Sequence, residues 1–378
     1  MTVHAGKIDF DIIVEGFAKP GGKITLGIDG FIDEVWQIIE SRANNDEYRL
    51  YRRMIDFSQT LAGCDEGGFS NEIIRNRRSA GGFTANTGRA VSRLGVGFSL
   101  LAMFGKDGVD PVFAELDATG NLVSVGDPGI CQIYEFADGK LMFPYIQEIM
   151  KFNWRSLTEA VDEGELKKLF AGSDIIAIGY WSLLPAFNEI VENICGLLRG
   201  CGGGGCGGDG GDRQRRMFFD FADIRKRDRA SLETTLEKLA GLGSRIPMTL
   251  SLNEHEATLL YSYYGEEFDT QDGEGADART ERVRSAIGID ELVAHTPYFA
   301  AAASAKEGCC VTPQNYCTSP LITTGAGDNF NAGYLAALLK GLPMPERLTV
   351  ANAVTYLFVS RGRSPGIDEV FEEIKKNV

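Results

Sequence analysis

Short apolar runs that alternate with helical patterns constrain this chain more than any other feature of its sequence. Such runs are typical of strands that are buried on both faces, and a helical pattern follows most of them. The predicted strands cover residues 24–28, 97–105, 174–179, 217–220 and 248–251. The sequence therefore predicts an α/β fold in which helices cover both faces of a mostly parallel central sheet.

Residues 130–143 follow a different pattern. Apolar and polar residues alternate on both sides of Asp138-Gly139, a dipeptide that is typical of hairpin turns. This segment predicts a small antiparallel element added to the parallel sheet. A run that consists almost entirely of glycine predicts a flexible surface loop at 200–212, because glycine cannot build a packed core.

Composition restricts the partners of the chain. The 378 residues carry a net charge of -15, which argues against a nucleic acid or an anionic membrane as partner. No apolar run approaches the length of a membrane span, and no signal-peptide pattern is visible. The eight cysteines are scattered, as in proteins of a reducing compartment. We therefore expect a cytoplasmic protein.

The stretch from Thr323 to Gly341 has the clearest chemical signal. A turn at Gly325-Ala326-Gly327 leads directly into a helical pattern, so free N–H groups and the positive end of the helix dipole meet there. This arrangement predicts an anion site. Asp328 has the wrong sign of charge for a phosphate ligand but suits a general base that takes a proton from a hydroxyl. The alternative is an ordinary N-capping aspartate.

Two further stretches predict an acceptor site. Gly81 and Gly82 open a predicted helix, and Asn86, one turn later, can donate and accept hydrogen bonds with sugar hydroxyls. Asp29 and Asp33 follow the first strand, at the edge where α/β sheets bind their ligands. Either carboxylate could hold two sugar hydroxyls. The alternatives are a tight loop with an incidental asparagine and solvated turn aspartates.

Asn253 and Glu256 predict a magnesium site. They lie three residues apart after the strand at 248–251, so they share a helix face. An amide oxygen and a carboxylate can hold the water shell of Mg²⁺. The alternative is a capping box made by Ser251 and Glu254. The two interpretations use different glutamates, so both can hold.

The order of these motifs along the chain resembles that of the ribokinase-like (PfkB-type) carbohydrate kinases. The resemblance extends from about Ile24 to Pro365, and Thr324-Gly-Ala-Gly-Asp-Asn-Phe330 resembles the C-terminal signature of that family. It implies a ribokinase-like three-layer α/β/α sandwich with a small β lid. A single kinase domain would then cover 1–378, with lid segments near 34–79 and 128–155.

The resemblance also implies roles for individual residues. Asp328 would be the catalytic base, and the N–H groups of Gly325, Ala326, Gly327 and Asp328 would form the anion hole for ATP phosphate. Asn253 and Glu256 would hold Mg²⁺ through water. Gly81, Gly82 and Asn86, with Asp29 or Asp33, would hold the acceptor. We also predict that Asn352 contacts the nucleotide.

The sequence departs from the family pattern before the signature. A glycine-containing nucleotide loop is common there, but residues 295–300 read His-Thr-Pro-Tyr-Phe-Ala. We predict an ATP-dependent, Mg²⁺-requiring kinase that phosphorylates a hydroxyl of a sugar or sugar-like substrate. The alternatives are a nucleoside kinase of the same fold and a catalytically silent member that binds a small ligand. The family analogy also allows a homodimer formed through the lid.

Overall fold

The computed structural model describes residues 8–64, 68–119, 121–199, 201 and 214–377. The loop predicted at 200–212 lies outside these residues, apart from Cys201. The strands are β1 (Lys23–Ile28), β2 (Phe31–Arg42), β3 (Tyr48–Leu50), β4 (Ile73–Gly81), β5 (Gly97–Ala102), β6 (Leu122–Ser124), β7 (Gly129–Phe136), β8 (Gly139–Tyr145), β9 (Ile175–Gly179), β10 (Arg216–Asp220), β11 (Met248–Asn253), β12 (Glu291–His295), β13 (Phe299–Ser304) and β14 (Gly308–Pro313).

The helices surround these strands. They are α1 (Phe10–Ala18), α2 (Met54–Ala62), α3 (Phe83–Arg93), α4 (Ala114–Asp117), α5 (Gln147–Lys151), α6 (Trp154–Ala160), α7 (Glu163–Ala171), α8 (Phe187–Leu197), α9 (Arg229–Gly243), α10 (Glu254–Tyr263), α11 (Ala276–Ile287), α12 (Ala326–Leu339), α13 (Met344–Arg361) and α14 (Ile367–Asn377). Among the described residues, no helix is both long enough and apolar enough to cross a membrane.

The large sheet has the strand order β14-β13-β12-β11-β10-β9-β1-β5-β6. The strands from β12 to β6 pair in parallel, whereas β13 and β14 add an antiparallel edge. The five strands predicted from sequence all lie in the parallel part. They are apolar throughout because both of their faces are covered.

Two buried apolar clusters lie on opposite faces of this sheet. Along β9, Ile175 and Ala177 belong to one cluster, and Ile176 and Ile178 belong to the other. Side chains alternate between the faces of a strand, so each face has its own core. The first core includes α1, α3, α12, α13 and α14, and the second includes α6 to α11. This arrangement confirms the predicted three-layer α/β/α sandwich.

A second sheet projects from the end of β1. Its central strand β2 pairs with β3 and β4, which are antiparallel to it, and with β7, which is parallel to it, and β8 pairs with β7. The predicted hairpin at 130–143 is confirmed, because β7 and β8 are antiparallel and Phe136 faces Gly139 across the turn. The role of segments 34–79 and 128–155 as a lid on a single domain stays a prediction.

Candidate active site

The carboxyl ends of the central parallel strands bring polar side chains to one edge of the large sheet. Asp29 follows β1, Tyr180 follows β9, and Asp220, Asn253 and His295 end β10, β11 and β12. Open α/β sheets bind their ligands at this edge. The starts of α3, α10 and α12 lie at the same edge, so each predicted motif belongs to one region of the molecule.

Asp29 is bound to the start of α3. Its Oδ1 accepts hydrogen bonds from Thr84 N at 3.0 Å and from Thr84 Oγ1 at 2.6 Å. A Cβ at Gly82 would lie 2.2 Å from Asp29 Oδ2, and Gly82 has a φ of +90°, so this position requires glycine. Burial raises the pKa of Asp29 to about 6, and Asp29 Oδ2 has no hydrogen-bonding partner among the described residues.

Asp33 lies on β2 instead of in a turn, and its carboxylate faces the other glycine of the pair. A Cβ at Gly81 would lie 2.4 Å from Asp33 Oδ2, so this position also excludes a larger side chain. Burial raises the pKa of Asp33 to about 6, against the charges of Lys140 and Arg77. Asp33 is only partly buried, and within the described chain its oxygens make no hydrogen bond. The interpretation of either aspartate as a solvated turn residue is wrong.

Asn86 joins the two helix starts. Its Nδ2 donates a hydrogen bond of 2.8 Å to Asp328 Oδ2, which connects residues 242 positions apart. The Thr87 hydroxyl is 3.4 Å from the carbonyl oxygen of Asp328. The glycine-opened helix predicted to hold the acceptor therefore meets the helix predicted to hold phosphate.

Asp328 does not cap its helix, so the alternative of an N-capping aspartate is wrong. Helix α12 begins at Ala326 with Gly325 as its N-cap, at a φ of +88°, and no side chain caps this end. Burial raises the pKa of Asp328 well above its usual range, and the charges of Asp220, Asp29 and Asp33 add to this effect.

The N-terminus of α12 carries free backbone donors. N–H groups in the first turn of a helix have no partner within that helix, and Gly327 and Asp328 lie in this turn. The Ala326 N–H, also predicted for the anion hole, instead donates to the Thr323 carbonyl at 3.1 Å. The Nζ atom of Lys140, on β8, donates to Thr324 Oγ1 directly before this turn. The second sheet thus brings a positive charge to the predicted anion hole.

Asn253 and Glu256 form a capping box, which corrects the alternative that placed it at Ser251 and Glu254. Asn253 Oδ1 accepts from the N–H groups of His255 and Glu256, and Glu256 Oε2 accepts from Asn253 N at 3.0 Å. Strand β11 runs on through Asn253, which moves the helix start two residues later. Ser251 is buried in the strand and bonds to Asn331. The two interpretations therefore concern the same glutamate.

Glu256 is buried beside Asp220. Only 2% of Glu256 is exposed, its Oε1 accepts from Asp223 N at 2.6 Å, and burial raises its pKa to about 8, with Asp220 as the next cause. Asp220 accepts from Asn331 Nδ2 and from Ala222 N, and its own pKa rises to about 6 through burial. Two neighbouring carboxylates with raised pKa values fit water-mediated contact with a divalent ion, and the described residues contain no cluster of three or more side chains that could ligate a metal directly.

A cleft of about 430 Å³ lies beside the anion hole, and Gly327 and Tyr316 both line it. His295 lines it with its ring stacked on Phe330 at 4.2 Å, and burial lowers the pKa of His295 to about 4. The Tyr316 ring stacks on Tyr298 at 4.7 Å. His295, Thr296 and Pro297, from the segment where the sequence lacks the usual glycine, thus line this cleft.

Asn352 lies apart from this cleft. It is buried on α13, where its Nδ2 donates to the carbonyl oxygens of Thr312 and Pro313. It lines a different cavity, of about 360 Å³, whereas Thr355 and Val359 of the same helix line the cleft. The structure therefore does not bring Asn352 together with the other predicted site residues.

Sequence reasoning missed four residues of this region. Asp220 carried the same signal as Asp29, an acid at the end of an apolar strand. Lys140 and Tyr180 carried none, since their positions depend on how separate segments meet. His295 stood in the segment noted for its missing glycine, but nothing in that pattern predicted its place in the cleft.

Solved structures share this fold. Ribokinase of Arabidopsis thaliana, complexed with ribose and ATP, superimposes with a TM-score of 0.65 at 17% identity, over 94% of this chain and 99% of that one. A putative ribokinase II of E. coli in complex with ATP and Mg²⁺ gives 0.61 at 18% identity, over 94% and 100%. The nucleoside kinase of Methanocaldococcus jannaschii gives 0.57 at 18%, also over 94% and 100%.

Comparison of sequences identifies a narrower family than comparison of structures does. A ketohexokinase of Haloferax volcanii is 27% identical over 352 residues, which cover 93% of this chain and 90% of that protein. The sequence model described as prokaryotic ketohexokinase matches residues 16–376. The predicted resemblance to ribokinase-like sugar kinases is confirmed, and the chain belongs to the prokaryotic ketohexokinase family.

Proposed function

We propose that this carbohydrate kinase transfers the γ-phosphoryl group of ATP to a hydroxyl of a ketohexose. The observation that carries the proposal is the hydrogen bond between Asn86 and Asp328. It joins the glycine-opened start of α3, which suits a polyol, to the open start of α12, which suits a phosphate. Phosphoryl transfer needs its two substrates in line at such a junction, with the developing charge neutralised.

The acceptor would lie between the second sheet and the start of α3. Asp33 suits a pair of sugar hydroxyls because its oxygens are accessible and make no hydrogen bond among the described residues. Asp29 has one oxygen bound to Thr84 and the other enclosed by Gly82. We therefore assign the acceptor to Asp33 and Asn86, with Asp29 as the residue that holds α3 in place.

Asp328 would act as the general base on the reacting hydroxyl. Its raised pKa makes it a stronger base than an exposed aspartate, and the Asn86 amide holds one of its oxygens. The adjacent N–H groups of α12 and the Lys140 ammonium would oppose the negative charge on the transferred phosphoryl group. Base and anion hole are then one turn of one helix.

Mg²⁺ would be held by Glu256 and Asp220 through bound water. The oxygens of Glu256 already accept backbone N–H groups, which favours contact through water over direct ligation. When bound, the ion would offset the charge of the nucleotide phosphates. Asn253 would fix Glu256 in place through the capping box, and the cleft beside Gly327 would hold the rest of the nucleotide.

A substrate panel tests the proposal. The purified protein is given MgATP with ketohexoses, aldohexoses, ribose and nucleosides, and ADP formation is measured at several concentrations of each acceptor. A ketohexose should give the highest kcat/KM. If a nucleoside is the best acceptor, the alternative of a nucleoside kinase is favoured. If no acceptor leads to ADP formation, the proposal is contradicted.

A further inference from the structure

Tyr180 has a backbone conformation that tyrosine rarely adopts. It follows β9 with a φ of 63° and a ψ of 37°, in the left-handed region that favours glycine. It stands between Gly179 and a short 3₁₀ turn at Trp181–Leu183. Conformations of this kind persist where the surrounding structure imposes them, and they concentrate at functional sites.

Tyr180 lies in the inner part of the sheet edge, at the end of a strand that has neighbours on both sides. Strand β9 lies between β1 and β10, so Tyr180 lies between Asp29 and Asp220, and its N–H donates to the Asp220 carbonyl at 2.9 Å. Its ring packs on Phe31, with 5.2 Å between the ring centres. Phe31 in turn lies against Gly82, at the start of α3.

The phenol hydroxyl is a free donor in an acidic environment. Burial raises the pKa of Tyr180 well above its usual range, and the charges of Asp29, Asp328, Asp33 and Asp220 add to the effect. The group therefore keeps its proton. Within the described residues the hydroxyl has no hydrogen-bonding partner, and it is not sealed in the core. The fold thus holds a donor ready at the proposed acceptor site without satisfying it internally.

We propose that Tyr180 binds the acceptor sugar and helps to select it. The hydroxyl donates to a sugar oxygen, and the rings of Tyr180 and Phe31 pack against the C–H groups of the sugar. A neutral polyol fits this crevice, whereas an anionic sugar would meet the carboxylates of Asp29 and Asp33. This inference rests on the proposed function, because it assumes that the acceptor lies between Asp33 and Asp328.

The Tyr180→Phe variant tests the donor while it keeps the ring. The KM for the sugar should rise roughly tenfold, as expected for the loss of one hydrogen bond, with the KM for ATP and the melting temperature unchanged. Monodeoxy analogues of the sugar sharpen the result. The wild-type protein should discriminate against the analogue that lacks the contacted hydroxyl, and the variant should lose that discrimination for this analogue alone.

Tyr263→Phe is the matched control, since Tyr263 lies on α10 with Arg229 over its ring and is assigned to neither substrate. A sugar KM for Tyr180→Phe within twofold of the control, or deoxy-sugar penalties equal to those of the wild-type protein, would overturn the proposal. All comparisons use the sugar that the wild-type protein phosphorylates best. A failure of the ketohexose assignment and a failure of the Tyr180 assignment are therefore separate results.

Discussion

Helices α10 and α12 begin beside the same cleft, yet their N-termini are completed in opposite ways. At α10, the Asn253 amide and the Glu256 carboxylate form a capping box that occupies the first-turn donors. At α12, Gly325 is the N-cap, and no side chain takes the donors that follow it. A closed end stabilises the fold, whereas an open end keeps its donors for a ligand.

The start of α3 is an intermediate case. It also has a glycine N-cap without a capping side chain of its own, but Asp29 supplies a carboxylate from another strand. The N-terminus of α10 is therefore capped by its own residues, that of α3 is capped by a residue of another strand, and that of α12 has no side-chain cap. Only the open one suits the phosphate of a substrate, and the predictions below test this ranking.

The largest effect should follow from Asp328→Asn. Asparagine keeps size and polarity but cannot take a proton, so kcat should fall roughly 10²–10⁴-fold while the KM for ATP holds or improves. Steady-state kinetics and a melting curve measure both effects. Asp368→Asn, in the exposed first turn of α14, is the matched control. A kcat within about threefold of the control would remove Asp328 from the mechanism.

Gly327→Ala should separate activity from stability at the open end. The added Cβ would make only ordinary contacts with His295, at 3.5 and 3.9 Å, and alanine is favoured over glycine in a helix by about 0.5–1 kcal/mol. The free energy of unfolding should hold or rise, while kcat falls by roughly 10²-fold because the phosphate is displaced. Chemical denaturation and kinetics on one preparation test this, and loss of both properties together would contradict it.

Asp29→Asn and Asp33→Asn should differ in what they change. Asp33→Asn should raise the sugar KM roughly 10- to 100-fold, the size expected for a charged hydrogen bond. Asp29→Asn should act mainly on stability. The pKa of Asp29 is raised from 3.8 to about 6, so ionisation of the unfolded chain destabilises the native protein as the pH rises through this window.

The Asp29→Asn variant should not lose stability in this pH window, because asparagine does not ionise. Its free energy of unfolding should exceed that of the wild-type protein above pH 6, by up to about 3 kcal/mol, and the difference should shrink below pH 4. Urea unfolding at pH 4 and pH 8 checks the sign. A larger rise in sugar KM for Asp29→Asn than for Asp33→Asn would reverse our assignment of the two carboxylates.

The smallest effect should follow from Asn253→Ala at the closed end. Loss of the cap should lower the free energy of unfolding by about 1 kcal/mol. Turnover at saturating Mg²⁺ should fall less than for Gly327→Ala, since Asn253 acts only by holding Glu256. Thermal unfolding with and without Mg²⁺ provides the measurement. A loss of turnover as large as that of Gly327→Ala would mean that Asn253 itself contacts the ligand.

Sequence predicted this site where its signals are local. Turn residues combine with helical periodicity in two segments, Gly325 to Asp328 and Gly81 to Asn86. In both, a few neighbouring residues were enough to predict the local structure. The capping box shows the limit, because a strand that runs two residues further transferred the cap from Ser251 to Asn253. Helix boundaries are the least determined part of such patterns.

The rest depended on tertiary structure. Tyr180 reaches the site because β9 lies between β1 and β10, and Lys140 reaches Thr324 because β8 of the second sheet contacts the turn before α12. Neither fact follows from spacing along the chain. The alternative of a turn residue stayed open for Asp33 because nothing in its neighbourhood indicated that β2 begins at Phe31. Homodimer formation and the lid role of the second sheet stay predictions.

The bond between Asn86 and Asp328 also has a consequence for biosynthesis. It spans 242 residues, so a ribosome must complete most of the chain before the two side chains can meet. At about 5–20 residues per second, the acceptor half would leave the ribosome roughly 10 to 50 seconds before the phosphate half. On the proposed assignment, the N-terminal portion would carry sugar-binding groups without the general base, and we expect no ATP turnover from a truncated product that ends before α12.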